Sequence, residues 1–163
     1  REQNRYIMSS IDRTTLSLSF RLNFSLTPNL SLQYWGQPFI ASGDYSDFKR
    51  ITNPHAPGYN DRYQSFTGKQ INLREGKYHV DENSDGTTDY SFSNPDFNVL
   101  QFKSNLVARW EYTPGSTLFL VWSQNRNGYH PTGRFAVSSE FQDLFSLYPR
   151  NVFLLKFTYR LGL

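Results

Sequence analysis

The chain has 163 residues, a formal charge of +3 and no cysteine. These values exclude disulfides, thiolate zinc sites and cysteine nucleophiles, and so small a charge with no basic run speaks against nucleic acid as a partner. Hydrophobic content is only 37% while aromatic content is 17%, and no apolar run approaches the roughly 18 residues of a transmembrane helix, so helical membrane spans are excluded.

A low apolar content with many aromatics suits a membrane β-barrel, where only half of each strand faces lipid and the loops are polar. It equally suits a carbohydrate-binding sandwich. The chain begins on Arg1 with neither an apolar leader nor a cleavage site, so any secretory signal is expected outside this sequence.

Residues 1 to 13 are mixed and polar and read as a loop or the fraying top of a preceding strand. From Leu16 the alternation is clean: Leu16, Leu18, Phe20, Leu22, Phe24 and Leu26 are apolar, and the residues between them are polar. A period of 2 held that long is a strand, long enough to cross a bilayer at a tilt. Thr27-Pro28-Asn29 reverses the chain, and Leu30, Leu32 and Tyr34 open a second strand. Its alternation fails at Trp35-Gly36-Gln37-Pro38, which predicts a bend or an end there.

Residues 41 to 96 form a long polar connection, expected to be extracellular, in which Lys69 to Val80 can make an extra hairpin. A third strand follows, with Leu100, Phe102, Leu106, Ala108, Trp110 and Tyr112 on its apolar parity. The tight turn Thr113-Pro114-Gly115-Ser116 leads into Thr117 to Gln124, where both parities are apolar and the faces stay unassigned. Residues 125 to 150 are a second long extracellular connection. Within it Ser139 and Gln142 fit a capping box, and Phe141, Leu144 and Phe145 have helical spacing, which predicts a short helix. Asn151 to Leu163 is the last strand: Phe153, Leu155, Phe157, Tyr159, Leu161 and Leu163 alternate with Lys156, Thr158, Arg160 and Gly162.

Counted back from the C-terminus, the connections run long, short, long, short. Short turns therefore share one end of the strands, which in outer-membrane barrels is the periplasmic end. The expected fold is an antiparallel transmembrane β-barrel of the cell outer membrane with about five spanning strands. Five cannot close, because bacterial single-chain barrels have an even number of at least about 8. The expectation is the C-terminal part of one barrel domain, completed by remaining barrel strands or by partner outer-membrane chains in the lipid bilayer.

The runs DYSFSNPDFN (89 to 98), QFKSNLVARWEYTPGSTLFLVWSQ (101 to 124) and NVFLLKFTYRLGL (151 to 163) resemble the C-terminal region of a family of Gram-negative outer-membrane proteins of unknown function. Leu30 to Arg50 is similar too, so the likeness covers most of residues 6 to 163. Members of that family carry an N-terminal carbohydrate-binding module similar to family 9 modules. The resemblance thus implies glycan binding by a segment outside this chain, and it brings no activity with it.

Asp81, Asn83, Asp85, Thr87 and Asp89 stand at the oxygen-ligand spacing of a calcium loop, Gly86 allows its sharp turn, and Phe92 stands where a bidentate glutamate belongs. Ca2+ is the one expected cofactor, set against a solvated turn built of the same residue types. Arg21, Lys103, Arg109, Lys156 and Arg160 lie on the polar parity and outnumber Glu111. They predict a basic lumen wall, suited to anionic solutes or to carboxylates on neighbouring strands. Trp110, Tyr112 and Tyr159 are the expected membrane-interface aromatics. The loop tyrosines Tyr45, Tyr59, Tyr63 and Tyr78 can stack on sugars or pack the loop against itself. The sequence has no nucleophile elbow, H-E-x-x-H or phosphate-cradling loop, and His55, His79 and His130 lack metal-ligand spacing, so an enzyme is not expected. A membrane anchor, scaffold or channel linked to surface glycans is the expected function. A secreted all-β carbohydrate-binding module is the alternative, and a glycan hydrolase using a carboxylate pair a more distant one.

Overall fold

A computed structural model describes residues 4–161. Gly162 and Leu163, which end the predicted last strand, and Arg1, Glu2 and Gln3 of the predicted N-terminal loop lie outside these. The chain is all-β and largely antiparallel. Its strands are β1 (Ile7–Ser17), β2 (Phe20–Thr27), β3 (Leu30–Ile51), β4 (Tyr63–Ser65), β5 (Ile71–Arg74), β6 (Lys77–Val80), β7 (Tyr90–Ser93), β8 (Phe97–Thr113), β9 (Ser116–His130) and β10 (Arg150–Thr158), with one helix, α1 (Val137–Ser146). The main sheet runs β1-β3-β8-β9-β10, with β2 and β4 also paired to β3. A second, three-stranded sheet runs β5-β6-β7. Among the described residues the main sheet is open, and β10 pairs with β9 alone.

The chain divides into two compact units. One holds residues 15–41, 99–129 and 135 onward; the other holds the N-terminal segment to Thr14, residues 42–98 and 130–134. In the first, β2 pairs with β3 from Phe20↔Gly36 to Ser25↔Ser31 without slipping, and β10 pairs with β9 from Arg150↔Asn125 to Thr158↔Thr117. The Glu111 amide donates to the Asn29 carbonyl at 2.8 Å. That bond sets the two tight turns beside each other, so the short connections share one end, as their order implies.

Beyond β9 running on to His130, into the connection predicted from residue 125, and β10 ending at Thr158, short of the predicted last strand's Tyr159, Arg160 and Leu161, three expectations are corrected. Residues 7 to 13 are strand rather than loop: the Leu18 amide donates to the Pro38 carbonyl at 3.1 Å and the Ile51 amide to the Tyr6 carbonyl at 2.9 Å. β1 and β2 are thus two segments of one path along β3. Nor does β3 end at Trp35 to Pro38; it runs unbroken for 22 residues. Pro38 has no amide to offer, but its carbonyl is the group the ladder uses there. Gly36 is not a bulge either, because the Phe20 ring occupies the space that a Cβ would need. The third correction concerns the cap of α1. Its N-cap is Ala136, with no side-chain bond to the helix, and Ser139 Oγ donates back to the Ala136 carbonyl at 3.0 Å.

The predicted helix itself forms because its apolar stripe has somewhere to go. Leu144 is fully buried with Ile40, Leu100 and Phe102, and Phe141 and Leu147 pack against them. At the C-terminal end of α1, Arg126 donates to the carbonyls of Phe145 and Leu147, satisfying acceptors the last turn leaves open and placing a cation at the negative end of the helix dipole.

In the second unit, β5 and β6 form the predicted hairpin around Glu75 and Gly76, both at positive φ (50° and 74°), as a two-residue turn matching strand twist requires. Tyr78 stacks on Phe92 at 5.4 Å and lies 4.5 Å from Phe48, and Val80 is fully buried. The region from 41 to 96 is therefore largely built structure: its first eleven residues finish β3 and its centre carries a sheet.

Candidate functional site

The pairing registers sort the side chains of the first unit onto two faces. Phe153↔Trp122, Leu155↔Leu120 and Phe157↔Leu118 lie on one face of the β9–β10 pair, so Leu118, Leu120 and Trp122 join the apolar parity that the sequence left unassigned. Phe119 and Val121 fall on the other side, opposite Lys156 and Leu154. On β2, Phe20, Leu22, Phe24 and Leu26 share the apolar side.

That apolar face is largely uncovered. Phe24 and Leu26 are 57% and 58% exposed, and Phe153, Leu155 and Phe157 between 62% and 68%. Contiguous exposed apolar surface of this kind is uncommon where a protein faces water. Only near α1 is it closed over, where Leu100 and Phe102 belong to the buried core. All three expected interface aromatics lie towards the short-turn end. Trp110 meets Tyr112 edge-on at 6.0 Å, Tyr112 stacks on Phe157 at 5.6 Å and donates its hydroxyl to the Thr158 carbonyl at 3.3 Å, and Tyr159 is exposed.

The opposite face is mixed: it carries basic residues, but also Phe119, Val121, Val152 and Leu154. Arg109 is paired with Glu111 at 3.0 Å, so for this residue the carboxylate partner is already in the chain. Among the described residues Arg21, Lys103, Lys156 and Arg160 form no ion pair. Lys156 Nζ sits 5.9 Å above the Phe119 ring, and the Arg160 amide donates to Ser116 Oγ at 3.0 Å.

Two adjoining hollows open on this mixed face. The first, of about 380 Å³, is lined by Arg21, Asn23, Gln33, Trp35 and Asn105; the second, of about 300 Å³, shares Trp35 and Asn105 and adds Lys103, Asn125 and Arg150. No carboxylate lines either. The registers Arg21↔Trp35 and Asn125↔Arg150 bring these residues from separate strands to neighbouring levels. Trp35 is half-buried, and its indole N–H donates to Ser19 Oγ at 3.2 Å. The sequence put a bend at Trp35 and so missed it as a face residue; its parity with Gln33 was the available signal.

In the second unit the predicted calcium loop is folded on its own amides. Asp81 accepts from the Asp85 and Gly86 amides at 3.2 and 2.8 Å, Asp85 from Thr87 at 2.8 Å, and Asp89 from Glu82 at 2.8 Å. The Thr87 amide and then the Asn83 side chain hold the exposed Asp85 carboxyl below its usual value. Among the described residues no three His, Cys, Asp or Glu side chains form a metal-binding group. Of the loop tyrosines, Tyr78 packs in the sheet, Tyr45 lies 6.4 Å from Phe97, and Tyr59 meets Tyr63, over which Lys49 sits at 4.5 Å.

Glu82 lies inside that loop but is not one of its predicted ligands. It binds Arg50 directly, lies 3.3 Å from Arg5 Nε, and accepts at its carbonyl from Gln70 at 2.7 Å. Burial favours its neutral form, but the Arg50 hydrogen bond and the charges of Arg50 and Arg5 outweigh this and hold its pKa below the ordinary carboxylate value. Burial, and then the adjacent Glu82, push the Tyr90 hydroxyl up. No spacing rule brings Arg5, Arg50 and Glu82 together; only the fold does.

Comparison with protein-family models, curated proteins and solved structures finds no match to this chain.

Proposed function

We propose that this chain is a segment of a Gram-negative outer-membrane β-barrel, acting as membrane anchor and scaffold or as channel wall, in the service of surface glycan binding or uptake. The uncovered apolar face of β2 and β10, backed by a mixed face that carries basic residues, carries this proposal. β10 is nine residues long, the length of a tilted spanning strand of about 9–11 residues. Its exposed Phe153, Leu155 and Phe157 face lipid, and the aromatics around Tyr112 sit at the periplasmic interface with the short turns. The lipid bilayer is then the first partner, and barrel strands beyond the described sheet the second.

Partitioning tests it. The protein is expected to sediment with outer-membrane fragments and to require detergent for extraction. Release into buffer as a folded monomer would remove the membrane and leave a secreted all-β carbohydrate-binding module. The proposed calcium occupancy of Asp81, Asn83, Asp85, Thr87 and Asp89 has its own readout. A chelator is expected to speed protease cleavage between residues 81 and 92, and identical cleavage with and without it would remove Ca2+ as a ligand.

A further inference from the structure

We propose that the mixed face, around Trp35, binds an acidic oligosaccharide, with Trp35 as the stacking platform and Arg21, Lys103 and Arg150 holding the sugar carboxylates. This deepens the glycan part of the function above and places the site on the sheet itself. It is a different place from the module that the family likeness implies.

Composition makes the first case. Beside Tyr34, Val107, Val152 and two serines, the two adjoining hollows present cations and side-chain amides around a single indole, and no carboxylate. Amides both donate and accept, as hydroxyl-rich ligands demand. An indole offers an apolar plate for the C–H face of a sugar ring. The cations set the sign of the ligand: none of the three forms an ion pair among the described residues, so each is free to meet an anion. A neutral glycan would leave them idle, and a small inorganic anion would leave the indole and amides idle.

Layout makes the second case. Arg21 is on β2 and Arg150 on β10, four strands apart in the order β2-β3-β8-β9-β10. At about 4.8 Å per strand this is about 19 Å along the sheet, the reach of several linked sugars rather than one. Trp35 and Asn105, shared by both hollows, lie between the outer cations. Trp35 is half-buried and tethered by its bond to Ser19, so it has less rotamer freedom to lose on binding than a fully exposed side chain.

Calorimetry on the full chain in detergent micelles tests this with four probes: tetragalacturonate, maltotetraose, inorganic sulfate and tetraglutamate. Saturable binding of tetragalacturonate is expected, at least about tenfold tighter than the other three. Trp35→Ala is expected to abolish it, Trp35→Phe to retain part of it, and Lys103→Gln or Arg150→Gln each to weaken it about tenfold, the loss of one charged hydrogen bond. Circular dichroism identifies any variant that does not fold. No binding, equal binding of maltotetraose, or an unaffected Trp35→Ala would overturn the proposal. Sulfate or tetraglutamate binding as tightly would reduce the face to a general anion or acidic-peptide site and overturn it as well. Partitioning does not enter these outcomes: a water-soluble protein that bound tetragalacturonate would keep the site and lose the barrel, and a membrane-bound one that did not would do the reverse.

Discussion

Gly115 and Glu82 show two ways in which a single residue holds this fold. Gly115 follows Pro114 in the β8–β9 turn at φ +80°, and a Cβ there would lie 2.6 Å from Arg160 Cδ. The Pro-Gly pair is the chemistry of a type II turn, which needs positive φ at its second central residue. Gly115→Ala should therefore cost about 1–2 kcal/mol for the left-handed backbone, more if Arg160 cannot move, read as a lower urea midpoint for refolding into detergent. Glu82 works through charge. Its carboxyl is more acidic folded than unfolded, so its stabilising effect is complete above the unfolded value of 4.5 and is lost as pH falls through the lower folded value. Glu82→Gln should flatten the acid limb of stability below about pH 4.5, and an unchanged limb would show that Arg5 and Arg50 do not sense this charge. The turn was legible in the sequence because its cause is local. The cluster was not, since Arg5, Arg50 and Glu82 are far apart in the chain and meet only through side-chain ion pairs in the folded protein.

At the scale of elements, legibility followed the same division. Alternation, strict in β2 but interrupted at Ser104 and Val107 in β8 and at Val152 and Leu154 in β10, gave these strands, and Lys69 to Val80 gave the β5–β6 hairpin. β9 could not be oriented from its own residues, because Phe119 and Val121 are as apolar as Leu118 and Leu120; pairing with β10 decides the face. The helix was legible through the Phe141, Leu144 and Phe145 spacing, but its ends were not: the N-terminus has no side-chain cap, and the carbonyls of the last turn are met by Arg126 from β9. Face assignment makes a paired prediction on β10. Leu155→Arg puts a charge on the face proposed to meet lipid and should cost about 2–4 kcal/mol near the bilayer midplane, whereas Leu154→Arg, on the opposite face, should cost much less. Urea titration in lipid vesicles measures both, and equal costs would mean that the faces are wrongly assigned.

For the whole molecule the useful feature is strand direction. β2 and β10 are the first and last strands along the order β2-β3-β8-β9-β10, and four direction reversals separate them, so the two free edges point the same way. A second copy turned about a barrel axis would offer β10 an edge running parallel to it, and the same mismatch would recur at the other seam. Two copies alone therefore cannot complete an all-antiparallel wall. Any such cylinder containing this sheet draws an odd number of strands from elsewhere, at least three if the smallest barrels of about eight are the guide, and the strands flanking it begin and end pointing opposite to β10.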